Sequence, residues 1–327
     1  MCGRVVFTSL PSPTGEGYRV VAASSGLRAQ EKTEITRRSP SHGALCSAAA
    51  DARAVAISTL CSGRVCVSLS RFAGAEHTGR GGRVWTEALL IEAADFLLAG
   101  GHPRAFVDAV AAAPLSVARL GTPIQKLSLP LSSSRAAAWF PPAIAPDVRG
   151  ADLAVMAALM FDRSPCVVAA KDPVAALDGA LSLLPLALRV SVNVSAGLRF
   201  ANSRRATLYV VESIDFDTRR ATRGRPVELL DAADLAGRSL GVLEPWLALM
   251  SRWCDEGRAA DAVVLAGSLR ADQTLAEIFE VARICEAIDR REEQPAALDA
   301  LLATRVMPAG PVPRPGSGGT DFLPKTN

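Results

Sequence analysis

Along this chain the spacing of apolar and polar positions switches between the rhythm of strands and that of helices. "RVVFTS" (4–9) and "YRVVAA" (18–23) are β-branched runs joined by a Pro- and Gly-rich loop, which predicts two strands. "GLRAQEKTEITRRSP" carries charges at helical spacing, and Pro40 predicts where that helix stops. Residues 53–60 and 64–71 alternate apolar with small or polar side chains around "CSG", the pattern of a β-hairpin. Another strand, "VWTEALLI" (84–91), precedes two short helices between about Glu92 and Ala113.

Residues 114–150 are irregular, with one expected strand at "IQKLSLPL" and a Pro-rich loop, "WFPPAIAPDVRG". A helix is expected at 151–162, then a buried strand at "CVVAA". Asp172 and Pro173 read as the N-cap and first turn of a helix through "VAALDGALSLLPLAL", followed by strands at "RVSVNVS" and "ATLYVVES". Strands interleaved with helices predict a mixed α/β (α+β) domain with a mixed sheet over residues 1–235.

Beyond it, "LEPWLALMSRWCDEG", "RAADAVVLAGSL", "DQTLAEIFEVARICEAIDRR" and "QPAALDALLATR" place apolar residues three and four apart. They predict a small helical module over 236–306. The Pro- and Gly-rich tail, 307–327, is expected to be disordered.

Composition narrows the function classes. Apolar residues make up 49% of the 327 and aromatics 5%, so the core is expected to be built from Ala, Leu and Val. Of 36 basic residues only Lys32, Lys126, Lys171 and Lys325 are lysines, and the net charge of +3 demands neither nucleic acid nor an anionic membrane. No charge-free window has the length of a membrane span, and the N-terminus lacks the apolar stretch of a secretory signal. The expectation is a cytoplasmic protein with no membrane partner. The seven cysteines are odd in number and scattered, which predicts reduced thiols. Cys61 and Cys66 have no second Cys or His pair at zinc spacing, so neither a metal nor another cofactor is expected.

The stretch "AGAEHTGRGGRVWTEALL" (73–90) gathers the most chemistry. Glu76, His77, Thr78, Gly79, Arg80, Gly81, Gly82 and Arg83 surround flexible backbone with an anion's natural partners. Neighbours on a strand point to opposite faces, so Glu76 and His77 could cooperate only in a loop. The plainer alternative is a glycine turn with solvated charges. "SPSHGALC" offers Ser41, His42 and Cys46, and either Ser41 or Cys46 could in principle pair with His77, although no spacing requires it. G-x-S-x-G is absent, as are a phosphate loop and a G-x-G-x-x-G after a strand. No catalytic residue is therefore assigned, and the balance leans away from an enzyme. The segment 199–225 concentrates Arg199, Arg204, Arg205, Arg219, Arg220, Arg223 and Arg225 with Phe200, Tyr209 and Phe216, a minor nucleic-acid candidate.

As an ordered set, "VVFTSLPSPTGEGYRVVAASSGL", "RRSPSHGALC", "SGRVCVSLSRFAGAEHTGRGGRVWTEALL" and "LSLLPLALRVSVNVSAGLRF" resemble the N-terminal region of the bacterial GTPase-associated proteins. The resemblance spans roughly residues 4–210. It implies a non-catalytic adaptor acting with a neighbouring-gene GTPase in a bacterial defence or signalling system, and it carries over no catalytic residue. Under it the loop 74–83 becomes a partner- or anion-binding surface. The competing expectation is a cryptic hydrolase or a nucleotide- or anion-sensing domain using the same loop.

Overall fold

The computed structural model describes residues 1–10, 17–47, 49–75, 82–115, 117, 121–128 and 149–290. The expected helix "QPAALDALLATR" and the tail 307–327 lie outside the described residues.

Ten strands form one mixed sheet. Its antiparallel half comes from the first part of the chain: β1 (Gly3–Ser9), β2 (Tyr18–Ala23), β3 (Arg53–Thr59), β4 (Val65–Ala75) and β5 (Gly82–Ile91). After the two-residue β6 (Thr122–Pro123), the second half is built from short strands with helical connections: β7 (Cys166–Ala169), β8 (Val194–Ala196), β9 (Leu208–Val211) and β10 (Glu228–Leu230). The order across the sheet is β10-β7-β9-β8-β3-β4-β5-β1-β2-β6. β8, β9, β7 and β10 run parallel to their neighbours, and β8 joins the two halves through an antiparallel pairing with β3.

Local chemistry sets most boundaries. The β3–β4 hairpin closes where Gly63, at φ +83°, donates its amide to Leu60 O at 2.9 Å. Helix α1 (Ala29–Arg38) begins with the Glu31 carboxylate accepting the Arg28 amide at 2.9 Å. α2 (Ala93–Leu98) and α3 (Arg104–Ala112) follow β5, and α4 (Gly150–Leu159) precedes β7. Asp172 caps α5 (Pro173–Ser182) by accepting the Ala175 amide at 3.0 Å, with Pro173 in the first turn.

Two expectations need correction here. The helix after Asp172 does not run on through "LLPLAL": Pro185 has no amide to continue the ladder, so the chain restarts as α6 (Leu186–Arg189). Arg189 therefore ends a helix instead of opening the strand "RVSVNVS", of which only Val194 and Ser195 pair, in β8. Of the strand expected at "IQKLSLPL", residues 124–128 are described, and they form only an isolated bridge between Leu127 and Cys2, with β6 just ahead of them. Three short elements went unforeseen: α7 (Phe216–Thr222), β10 and α8 (Ala232–Leu235).

One sheet face carries Ile57, Val67, Leu89, Val168, Val194 and Val210, and it shares a continuous core with α2 to α6. The helices α9 (Glu244–Asp255), α10 (Ala259–Ser268) and α11 (Leu275–Asp289) join that same core through Trp246, Ala266 and Val281. The opposite face is covered by α1, whose Ile35 meets Val5, Cys66 and Ala88.

Candidate functional site

The β4–β5 hairpin positions the chemistry that the sequence singled out. Ala75 pairs with Gly82, so only residues 76–81 connect the two strands; Gly74, Ala75, Gly82 and Arg83, expected in the loop 74–83, belong to β4 and β5 because the strand ladder extends further than the glycines suggested. Glu76, His77, Thr78, Gly79, Arg80 and Gly81 themselves lie outside the described residues. Gly82 packs beneath the Phe72 ring, where an added Cβ would come within 2.5 Å of Phe72 Cε2. Arg83 reaches back across the hairpin and donates to Ala73 O at 3.1 Å from Nε and 2.8 Å from Nη2. Both residues thus brace the ends of β4 and β5 against each other.

Below the loop, register builds a cleft. Arg53, Arg71 and Trp85 lie directly opposite one another on β3, β4 and β5 and so share one face. Val55, Leu69 and Glu87 form the next row. Val107, Val110 and Ala111 of α3, followed by Pro114 and Leu115, make the opposite wall of a cleft of about 390 Å³.

An ion pair anchors its floor: Arg4 Nε donates to Glu87 Oε1 at 2.6 Å and Arg4 Nη2 to Ala113 O at 2.7 Å, tying the end of α3 to the sheet. Burial raises the Glu87 pKa even with Arg4 beside it. Arg71 stacks over Trp85 at 5.6 Å from the ring centroid, while Arg53 and Arg71 are both exposed. A second cavity, between α1 and the other face, measures only about 30 Å³.

The remaining candidates fall into structural roles. His102 is buried, and its pKa is pushed down to about 3, first by burial and then by the charges of Arg189 and Arg104. The Arg104 amide donates to Nδ1 at 3.3 Å, which leaves the proton on Nε2 to be donated to Asp178 O at 3.2 Å. A neutral imidazole held this way links the first turn of α3 to α5 and is a poor base at neutral pH.

Burial raises the pKa of Cys46, so this thiol has little nucleophilic character, and the His42 ring lies tilted beside Tyr18 at 6.2 Å between centroids. All seven cysteines are free thiols. Among the described residues no cluster of His, Cys, Asp and Glu could hold a metal ion, and no helix is long and apolar enough to cross a membrane.

In the Arg-rich segment, Phe200 and Tyr209 are buried against each other at 4.8 Å. Arg199 pairs with Asp217 at 2.7 Å and Asp215 at 3.6 Å. Of the three aromatics that sequence reasoning offered for base stacking, only Phe216 is exposed.

The cleft was not legible in the sequence. Arg53, Arg71 and Trp85 lie on consecutive strands whose register brings them into a row, but the wall that α3 places opposite them has no local signal.

A mixed sheet whose antiparallel half bears a loop above a basic cleft describes the architecture of the first part of the chain. Residues 1–120 match the family described as GTPase-associated protein 1, N-terminal domain type 2. The match spans β1 to β5 with α1, α2 and α3, and contains both the hairpin and every residue named in the cleft. No curated protein matches the chain, and no solved structure does.

Proposed function

We propose that this protein is a non-catalytic interaction component that works with a GTPase encoded beside it, in a bacterial defence or signalling system in the cytoplasm. The observation that carries this reading is the match of residues 1–120 to a GTPase-associated domain. The loop between β4 and β5, residues 76–81, supplies the contact surface. Its Arg80 and glycines offer guanidinium and main-chain donors to a carboxylate or phosphate on the partner. The neutral, buried His102 and the protonated Cys46 weigh against a hydrolase.

The test is co-purification and titration with the neighbouring GTPase, using the parent and His77→Ala/Arg80→Glu. Arg83 is left intact because it braces the hairpin. The variant is expected to melt with the parent, since loop substitutions usually change stability by less than about 0.5 kcal/mol, and to lose the partner. Failure of the parent to bind the GTPase in either nucleotide state overturns the reading. Undiminished binding by the variant removes the loop from it.

A further inference from the structure

The cleft between β3, β4, β5 and α3 sets two like charges side by side at its edge. Arg53 and Arg71 are directly opposed on neighbouring strands, a like-charge placement that is destabilising when nothing neutralises it. Neither makes an ion pair among the described residues. The carboxylate within reach, Glu87, is already engaged by Arg4, which is also fixed to the end of α3. Two exposed guanidinia therefore stand at the edge of a cleft whose volume, about 390 Å³, falls within the range of small-molecule sites. Trp85 lies next to Arg71 in the same row and lines the cleft, with the Arg71 guanidinium 5.6 Å from its ring centroid. Val107, Val110 and Leu115 face the sheet with apolar groups.

From these parts we infer that the cleft is a binding site for a small anionic molecule with a planar ring. Its phosphate or carboxylate group sits between Arg53 and Arg71, and its ring lies along Trp85 against Val107, Val110 and Leu115. The anion relieves the repulsion between the paired arginines, and bidentate guanidinium contacts favour a planar or tetrahedral oxyanion over a halide. The apolar wall and the indole select against a bare anion. The Arg4–Glu87 pair below sets the depth of the site by holding α3 at its distance from the sheet. This inference uses none of residues 76–81, so its failure leaves the loop–partner reading standing, and the reverse holds.

Isothermal titration of the full chain tests it with four probes: adenosine monophosphate, guanosine monophosphate, indole-3-acetate and inorganic phosphate. At least one ring-bearing probe is expected to bind more than tenfold tighter than inorganic phosphate. Whether a nucleotide or the indole acid prevails identifies the anionic group. Arg53→Ala/Arg71→Ala is expected to weaken that binding more than tenfold with a melting temperature no lower than the parent's, since the repulsion between the two arginines goes with them. Trp85→Leu is expected to bring the ring-bearing probe down toward the affinity of inorganic phosphate. Absence of binding by every ring-bearing probe at millimolar concentration overturns the inference. So does binding that survives intact in the double arginine variant.

Discussion

Arg189 Nη1 donates to Gly100 O at 2.8 Å, joining the turn after α2 to the turn after α5 from inside the core. The same guanidinium donates to Leu184 O at 2.9 Å and Ser182 O at 3.1 Å. Burial brings its pKa down only to about 10, so the buried group remains charged at neutral pH. Gly101 sits at φ +61°, where a side chain is strained, and a Cβ there would lie in tight contact, 3.1 Å from Arg189 Cβ.

Replacing Arg189 by Met leaves these carbonyls buried without their donors. The expected loss is about 2–4 kcal/mol in denaturant unfolding, because an unsatisfied buried acceptor costs about 1–3 kcal/mol. Arg189→Lys is expected to fall between Met and the parent, since the donors of an ammonium radiate from one nitrogen, whereas three separate guanidinium nitrogens reach the three carbonyls. A Met variant as stable as the parent would remove the clamp role.

Helices α4 and α9 meet at Gly150. A Cβ on Gly150 would stand 2.5 Å from Cys254 Cβ and 2.7 Å from Ser251 O. The Gly150 amide also donates to Asp255 Oδ1 at 3.1 Å, which anchors the start of α4 to the end of α9. Gly150→Ala is expected to destabilise the protein by about 1–3 kcal/mol through forced separation of the helices, and Gly150→Val by more. Thermal unfolding of the two variants against the parent checks the order. An unchanged melting temperature for Val contradicts the close approach.

Glu31 gives stability an acid limb. Burial alone would raise its pKa, but hydrogen bonds from Arg64, Ser62 and the Arg28 amide outweigh it and bring the group down to about 2. A folded pKa below the unfolded value contributes stability above about pH 4.5 that is lost as pH falls toward 2. Glu31→Gln is expected to lower stability at pH 7 by on the order of 2 kcal/mol, with the gap closing toward pH 3. A gap independent of pH would assign the loss to packing.

Asp178 acts in the opposite direction. Burial raises its pKa from 3.8 to about 7, so the folded chain holds a proton that the unfolded chain has released. Stability from this site therefore falls between about pH 4 and pH 7 and is flat above that. Asp178→Asn, which cannot ionise, is expected to gain on the parent across that interval. Urea unfolding at pH 4.5, 6 and 8 measures the gain, and a difference that stays constant with pH would rule out a buried proton on Asp178.

The strands and helices with long runs were fixed by local pattern. Alternation at 53–60 and 64–71, a glycine turn between them, and Asp172–Pro173 ahead of an apolar helix each act within a few residues, so the sequence by itself determined these elements. The placement of the loop between β4 and β5 was legible for the same reason. Three-residue strands such as β8 and β10 carry too few side chains to show a period, and parallel neighbours far along the chain define them.

Only the tertiary structure decided which residues meet. It set Arg53 beside Arg71 and Trp85, turned Arg83 inward to Ala73, and buried Phe200 and Tyr209 away from any ligand. A one-residue shift in register would send Arg71 to the other face of the sheet, and the tight Leu60–Arg64 turn that sets the β3–β4 register does not by itself say which face the helices cover. That choice comes from burying Val67 and Leu89 on the helix-covered face and Cys66 and Ala88 beneath α1, a condition on the whole sheet.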